Sequence, residues 1–60
     1  MDAIKTTQYA RALMQAHGPR AIATAAQRQR ENETRGNRHE AENWRRIRDA
    51  LTEMRGPAQG

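Results

Sequence analysis

Residues 40–57 read Glu40-Ala41-Glu42-Asn43-Trp44-Arg45-Arg46-Ile47-Arg48-Asp49-Ala50-Leu51-Thr52-Glu53-Met54-Arg55-Gly56-Pro57, and this stretch decides the fold class. Ala41, Trp44, Ile47, Leu51 and Met54 recur at intervals of three and four, the spacing of a helix that packs one stripe against another helix. The opposite face is charged, with Glu42 four residues before Arg46 and Arg45 four residues before Asp49. Pairs at that spacing support an isolated helix by only a few tenths of a kcal/mol each, but they neutralise most of the outer face. The pattern predicts a helix over residues 38–55, stopped by Gly56-Pro57 and followed by a short flexible tail at 58–60.

Working toward the N-terminus, Gly36 ends one helix and Asn37 stands where the next would be capped. Glu40, three residues later, completes the pattern of a reciprocal capping box. A second break falls at Gly18-Pro19, where a glycine can take a positive φ and a proline can open the following helix. These breaks predict helices over about 3–17 and 20–34. No segment alternates with a period of two, so strands are not expected. The expected architecture is a single all-α domain over 1–57 made of three short helices. The second and third form an antiparallel hairpin, the first folds back over it, and the whole is compatible with assembly as a dimeric bundle.

The first helix sets Thr6, Tyr9, Ala10, Leu13, Ala16 and His17 along one side, with Met14 widening the stripe and Ile4 off it. The second has a thin stripe of Ile22, Ala25, Ala26 and Gln29. Beyond Gln29 it turns wholly polar through Glu31, Asn32, Glu33 and Thr34, so that end is expected to fray or to project into solvent. Sixty residues without a phenylalanine or a cysteine offer a small core and no disulfide to staple it. Pairing with a second subunit or another protein is the remaining device, and the chain is expected to be a homo-oligomer or to dock on a protein partner.

The formal charge of +4 is uneven. Residues 20–39 carry +3, where Arg20, Arg28, Arg30, Arg35 and Arg38 face Glu31 and Glu33, whereas residues 40–60 balance. Ten of the eleven basic residues are arginines, which suit phosphate and carboxylate recognition but are also what G- and C-rich coding produces. Arg28, Arg30, Arg35 and Arg38 are therefore the candidate contacts for an alternative reading, a small basic nucleic-acid-binding protein. Against that reading, Tyr9 and Trp44 are the only aromatic residues and both lie on apolar stripes, so no stacking platform accompanies the basic segment.

Arg48 and Arg55 differ from the other arginines of the last helix. Both border the apolar stripe without an acidic residue at a favourable spacing, and Arg48, four residues after Trp44, is placed to stack on the indole. The plain reading is a snorkelling side chain that shields the tryptophan. The functional one is an interface anchor, since Trp and Arg are enriched among binding hot spots. On that reading Trp44, Ile47, Leu51 and Met54 form the centre of a partner-binding face, with Arg48 and Arg55 at its rim.

No catalytic pattern is present. His39-Glu40 does not continue into a His-Glu-x-x-His helix, because Asn43 occupies the second histidine's position. His17 sits near a helix C-terminus, where its interaction with the helix dipole accounts for it. The threonines have no base beside them, and the four glycines form no phosphate loop. The expectation is a protein that is not an enzyme and needs neither cofactor nor metal. No apolar run approaches the roughly 20 residues of a membrane span, and acidic Glu42, Asp49 and Glu53 suit a membrane surface poorly. The N-terminus lacks the pattern of a secretory signal, so a cytoplasmic location is expected.

Ala16-His17-Gly18, Ala25-Ala26-Gln27, Trp44-Arg45-Arg46-Ile47-Arg48 and Glu53-Met54-Arg55-Gly56-Pro57 together resemble a group of short helical bacterial proteins, mainly alphaproteobacterial, with no assigned activity. The likeness covers about residues 9–57 and implies a compact all-α protein of the bacterial cytoplasm. Where that group has an acidic residue after the first glycine, this chain has Pro19. Gly36, Ala41 and Trp44 also resemble half of a tetratricopeptide repeat, although Ala50 falls two positions late. That likeness supports a helical hairpin and nothing larger.

Overall fold

The computed structural model describes residues 2–55, with the side chain of Arg55 outside the description. Gly56, Pro57 and the expected tail at 58–60 lie outside the described residues. All regular structure among the described residues is helical. The first helical run comprises α1 (Ala3–His17) and α2 (Ala21–Arg35), joined through a 3-10 turn at Gly18–Arg20. The second run is α3 (Arg38–Arg55).

Each boundary has a local cause. Asp2 starts α1: its carboxylate accepts the Lys5 amide at 2.8 Å and its carbonyl accepts the Thr6 amide at 2.9 Å, satisfying donors that a helix start would leave unpaired. Gly18 closes α1 with φ 59° and ψ −134°, donating its amide to the Met14 carbonyl. The φ is positive as expected, but the ψ lies outside the left-handed helical well, in the mirror-β region that glycine alone enters freely. Pro19 contributes by disfavouring the α-helical region for the residue before it, and glycine is free to take the positive φ.

The turn between α2 and α3 is closed by backbone bonds. Gly36, at φ 81°, donates to the Glu33 carbonyl at 3.1 Å, and Asn37 donates to the Asn32 carbonyl at 2.8 Å. This is the paired bonding of a Schellman cap. The reciprocal capping box expected from Asn37 and Glu40 is not formed. The Asn37 carbonyl accepts the Ala41 amide at 2.9 Å, and the Asn37 side-chain amide lies 3.5 Å from Asn32 Oδ1, turned back toward the preceding helix.

The polar end of α2 is helical to Arg35 and projects into solvent, with Glu33, Thr34 and Arg35 exposed. Gln27 donates to Glu31 at 3.4 Å, Gln29 to Glu33 at 3.1 Å, and Asn32 Nδ2 to the Arg28 carbonyl at 2.8 Å. These four-residue steps, with the glycine cap beyond them, hold the helix to Arg35 without an apolar stripe.

Ala10, Ala21, Ala25, Ile47 and Leu51 make the buried core, with Leu13, Met14, Ile22, Trp44, Ala50 and Met54 packed around it. Ala21 and Ala25, from the start of α2, meet Ile47 and Leu51 from the later half of α3, so the two helices run antiparallel. Alanines at the contact let the backbones approach closely, and the large side chains of α3 fill the space. α1 packs chiefly on α3 and much less on α2. The result is a molecule of 36 × 21 × 21 Å.

Thr6 is buried in α1, 7% exposed, and its Oγ1 has no hydrogen-bond partner. The carbonyl a turn earlier, that of Asp2, already receives Thr6's own amide. A buried hydroxyl without a partner costs stability, and valine keeps the shape without it. Thr6→Val should therefore raise the unfolding free energy in urea by about 1 kcal/mol. A loss on the same substitution would show that the hydroxyl is bonded in solution.

Candidate functional site

The structure divides the expected partner-binding face into two parts. Ile47 (1% exposed) and Leu51 (0%) lie inside the chain's own core, covered by α1 and α2, and touch no outside molecule in this conformation. Trp44, Arg48 and Met54 are half-buried at the edge of that core. The side chain of Arg55 falls outside the described residues. The apolar stripe of α3 is thus mostly structural, because the chain supplies just enough cover for its centre and too little for its margin.

The margin is completed by α1. Tyr9, expected on the core stripe, is 47% exposed and meets Trp44 edge-on, with ring centroids 5.6 Å apart and planes at 89°. That geometry suits the ring quadrupoles. Beside the pair, Tyr9, Ala12, Leu13 and Ala16 line an apolar surface hollow of about 230 Å³. Ala16 and His17, also assigned to the stripe, are exposed. Trp44's ring partner is therefore Tyr9, and no cation–π pair with Arg48 forms among the described residues. Tyr9, Ala12 and Ala16 follow one another at three and four residues, a small-residue step along the edge of the stripe. What the sequence lacks is any signal that this step stays open.

The charged face of α3 is self-paired, with one change of partner. Arg45 turns back to Glu42 rather than forward to Asp49, donating to its carboxylate at 2.8 and 3.3 Å. Arg46 donates to the same carboxylate at 3.4 Å. The Arg45 hydrogen bonds are the main reason Glu42 titrates below the usual carboxylate range, with the Arg46 bond adding to them and partial burial opposing. Glu42 in turn holds Arg45 protonated to a higher pH than usual, and Asp49 adds only a weaker attraction. One carboxylate thus answers two arginines, and the surface charge of the Arg45-Arg46 pair is partly spent within the helix.

The four arginines of the alternative site are all exposed. Arg30 and Arg35 line one shallow hollow on the outer side of α2, together with Gln27, Glu31 and Thr34. Arg28 lies 4.0 Å from Glu31. The structure therefore brings two of the four together and sets an acid among them. Arg38 begins the next helix. Among the described residues no group of three or more His, Asp or Glu side chains is placed to hold a metal ion, and no helix is long and apolar enough to cross a membrane.

No family model, no curated protein and no solved structure matches this chain. Its function must be read from its own surface.

Proposed function

We propose that this chain is a small three-helix interaction module, working as a homodimer or as an accessory subunit of a larger protein, and not as an enzyme. The observation that carries this reading is the Tyr9–Trp44 pair, a half-exposed aromatic couple beside an apolar hollow. Tyrosine, tryptophan and arginine are the side chains over-represented where binding energy concentrates, and half-buried Arg48 follows Trp44 by one helical turn on α3. Ile47 and Leu51 belong to the core against which Trp44 and Met54 pack. A domain of this size has few ways to cover apolar surface other than a partner.

Self-association is the form to test first, by absolute mass from light scattering over a range of concentrations. The expected result is a mass approaching twice the chain's 6.9 kDa that falls to one chain in Tyr9→Glu, with helix content retained. A wild-type protein that stays at one chain at every concentration would overturn the homodimer and leave docking on a different protein. The arginine segment supports the nucleic-acid alternative less well, because Glu31 sits within it and Glu42 draws on Arg45 and Arg46. Retention of RNA or DNA that weakens steeply with salt and is lost in Arg28→Ala with Arg30→Ala would favour that alternative.

A further inference from the structure

We propose that Gly18-Pro19 is a stop that keeps α1 folded on its own chain, and that without it α1 and α2 become one helix exchanged between two copies of this chain. The inference is independent of which partner the Tyr9–Trp44 face takes. Helical backbone continues almost unbroken from Ala3 to Arg35, and the sharpest departure is Gly18, whose φ of 59° and ψ of −134° turn the chain at the start of the 3-10 turn, after His17 has widened to φ −117°. Two features hold that departure in place. Proline at 19 has no amide to give the Gln15 carbonyl, and its ring would collide with that carbonyl in a continuous helix. It also drives Gly18 out of the helical region, and glycine accepts the alternative freely.

The packing makes exchange the consequence of removing the stop. α1 is held mainly by α3 and less by α2, so straightening the turn detaches α1 while the α2–α3 contact survives. α1 still carries a stripe that must be buried, with Thr6 and Ala10 at its centre and Leu13 and Met14 beside them. Extended along α2 it cannot reach its own α3, and the matching surface lies on the α3 of a second copy that has opened in the same way. Short hinges under conformational constraint are where such exchange arises. At Gly18 no atom lies within 4 Å of the place a Cβ would occupy, so an alanine there acts through the backbone alone, by disfavouring the positive φ.

The test compares the wild type with Gly18→Ala/Pro19→Ala. The chain has no cysteine, so Gln8→Cys and Arg30→Cys, both at exposed positions, give two unique spin-label sites. Labelled chains are diluted into unlabelled ones, so that only distances within one chain are read. In a continuous helix the 22-residue separation gives about 33 Å at 1.5 Å per residue. The expected result is a shift of the distance distribution to that value, together with a doubling of mass when the same hinge change is made in a Tyr9→Glu background, where the chain without it is single. A distribution unchanged from the wild type overturns the proposal, and so does the long distance at an unchanged mass, which would be an opened chain without exchange. If the double variant does not fold, Pro19→Ala alone, which leaves the closed turn accessible to glycine, should show a partial population at the long distance. Its absence there would overturn the proposal equally.

Discussion

Leu51→Ala should remove a large part of the protein's unfolding free energy, roughly 4 kcal/mol. Leu51 is fully buried, and its neighbours in the core are Ala10, Ala21, Ala25 and Ile47. Three of the four are alanines, which have no side-chain length with which to lean into the space a deleted isobutyl group leaves, so only the side chains packed around the core, Met14, Ile22 and Met54 among them, can move toward it. The cavity is filled in part at most, and the cost lies within the range of leucine truncations, roughly 4 kcal/mol in a range of about 2 to 5. A domain of this length holds only about 3 to 9 kcal/mol in all. Far-UV circular dichroism during urea titration checks it. A loss under 1 kcal/mol would mean that α2 and α3 do not pack at Leu51 as described. Leu51→Met, which conserves volume, should cost far less, under about 1.5 kcal/mol. Ile4→Ala is the surface control, since Ile4 is 70% exposed and such changes fall within about 0.5 kcal/mol.

How much of this was legible beforehand depends on what each residue announces. Gly18, Pro19 and Gly36 state backbone requirements that hold in any context, so the helix limits follow from them to within a residue or so. The stripe of α3 was legible because its residues are large and spaced regularly. The stripe of α2 was legible only in part: Ala25 lies at its centre as the spacing indicates, but Ala21, outside the expected stripe, shares that place and Ile22 lies at the side. A helix that meets its partner closely wants its smallest residues at the contact, and alanine carries no hydrophobic signature to reveal it. Asn43 was missed for a related reason. It is buried because α3 is covered by two helices instead of one, which widens the enclosed sector beyond the apolar residues. Position along one helix cannot show how many neighbours that helix has. The opening at Tyr9 was hidden by the same limit, since whether a stripe residue is covered depends on where the other helices end. Arg45's choice of Glu42 over Asp49 turns on side-chain reach at three against four residues, which spacing alone leaves undecided.

Trp44→Ala should cost less than the truncation of Leu51, and a part of the loss should depend on protein concentration. Trp44 is only half-buried, so removing its indole forfeits some of the roughly 3 to 5 kcal/mol that a fully enclosed tryptophan would represent, about 2 kcal/mol. The edge-on contact with Tyr9 adds about 1 kcal/mol, and a double-mutant cycle with Tyr9→Ala isolates that coupling. These contributions belong to one folded chain and are the same at any concentration. If the aromatic pair also meets a second copy, the wild-type urea midpoint rises with protein concentration by mass action, whereas the Trp44→Ala midpoint stays flat. Leu51→Ala touches the interior alone, so whatever concentration dependence the wild type shows should persist in Leu51→Met, which keeps the fold. Two residues seven positions apart on one helix face would then give opposite signatures, one of a core that every copy closes for itself and one of an edge that a second copy closes. Parallel midpoint shifts in the wild type and in Trp44→Ala would place the contact between copies elsewhere and remove Trp44 from it.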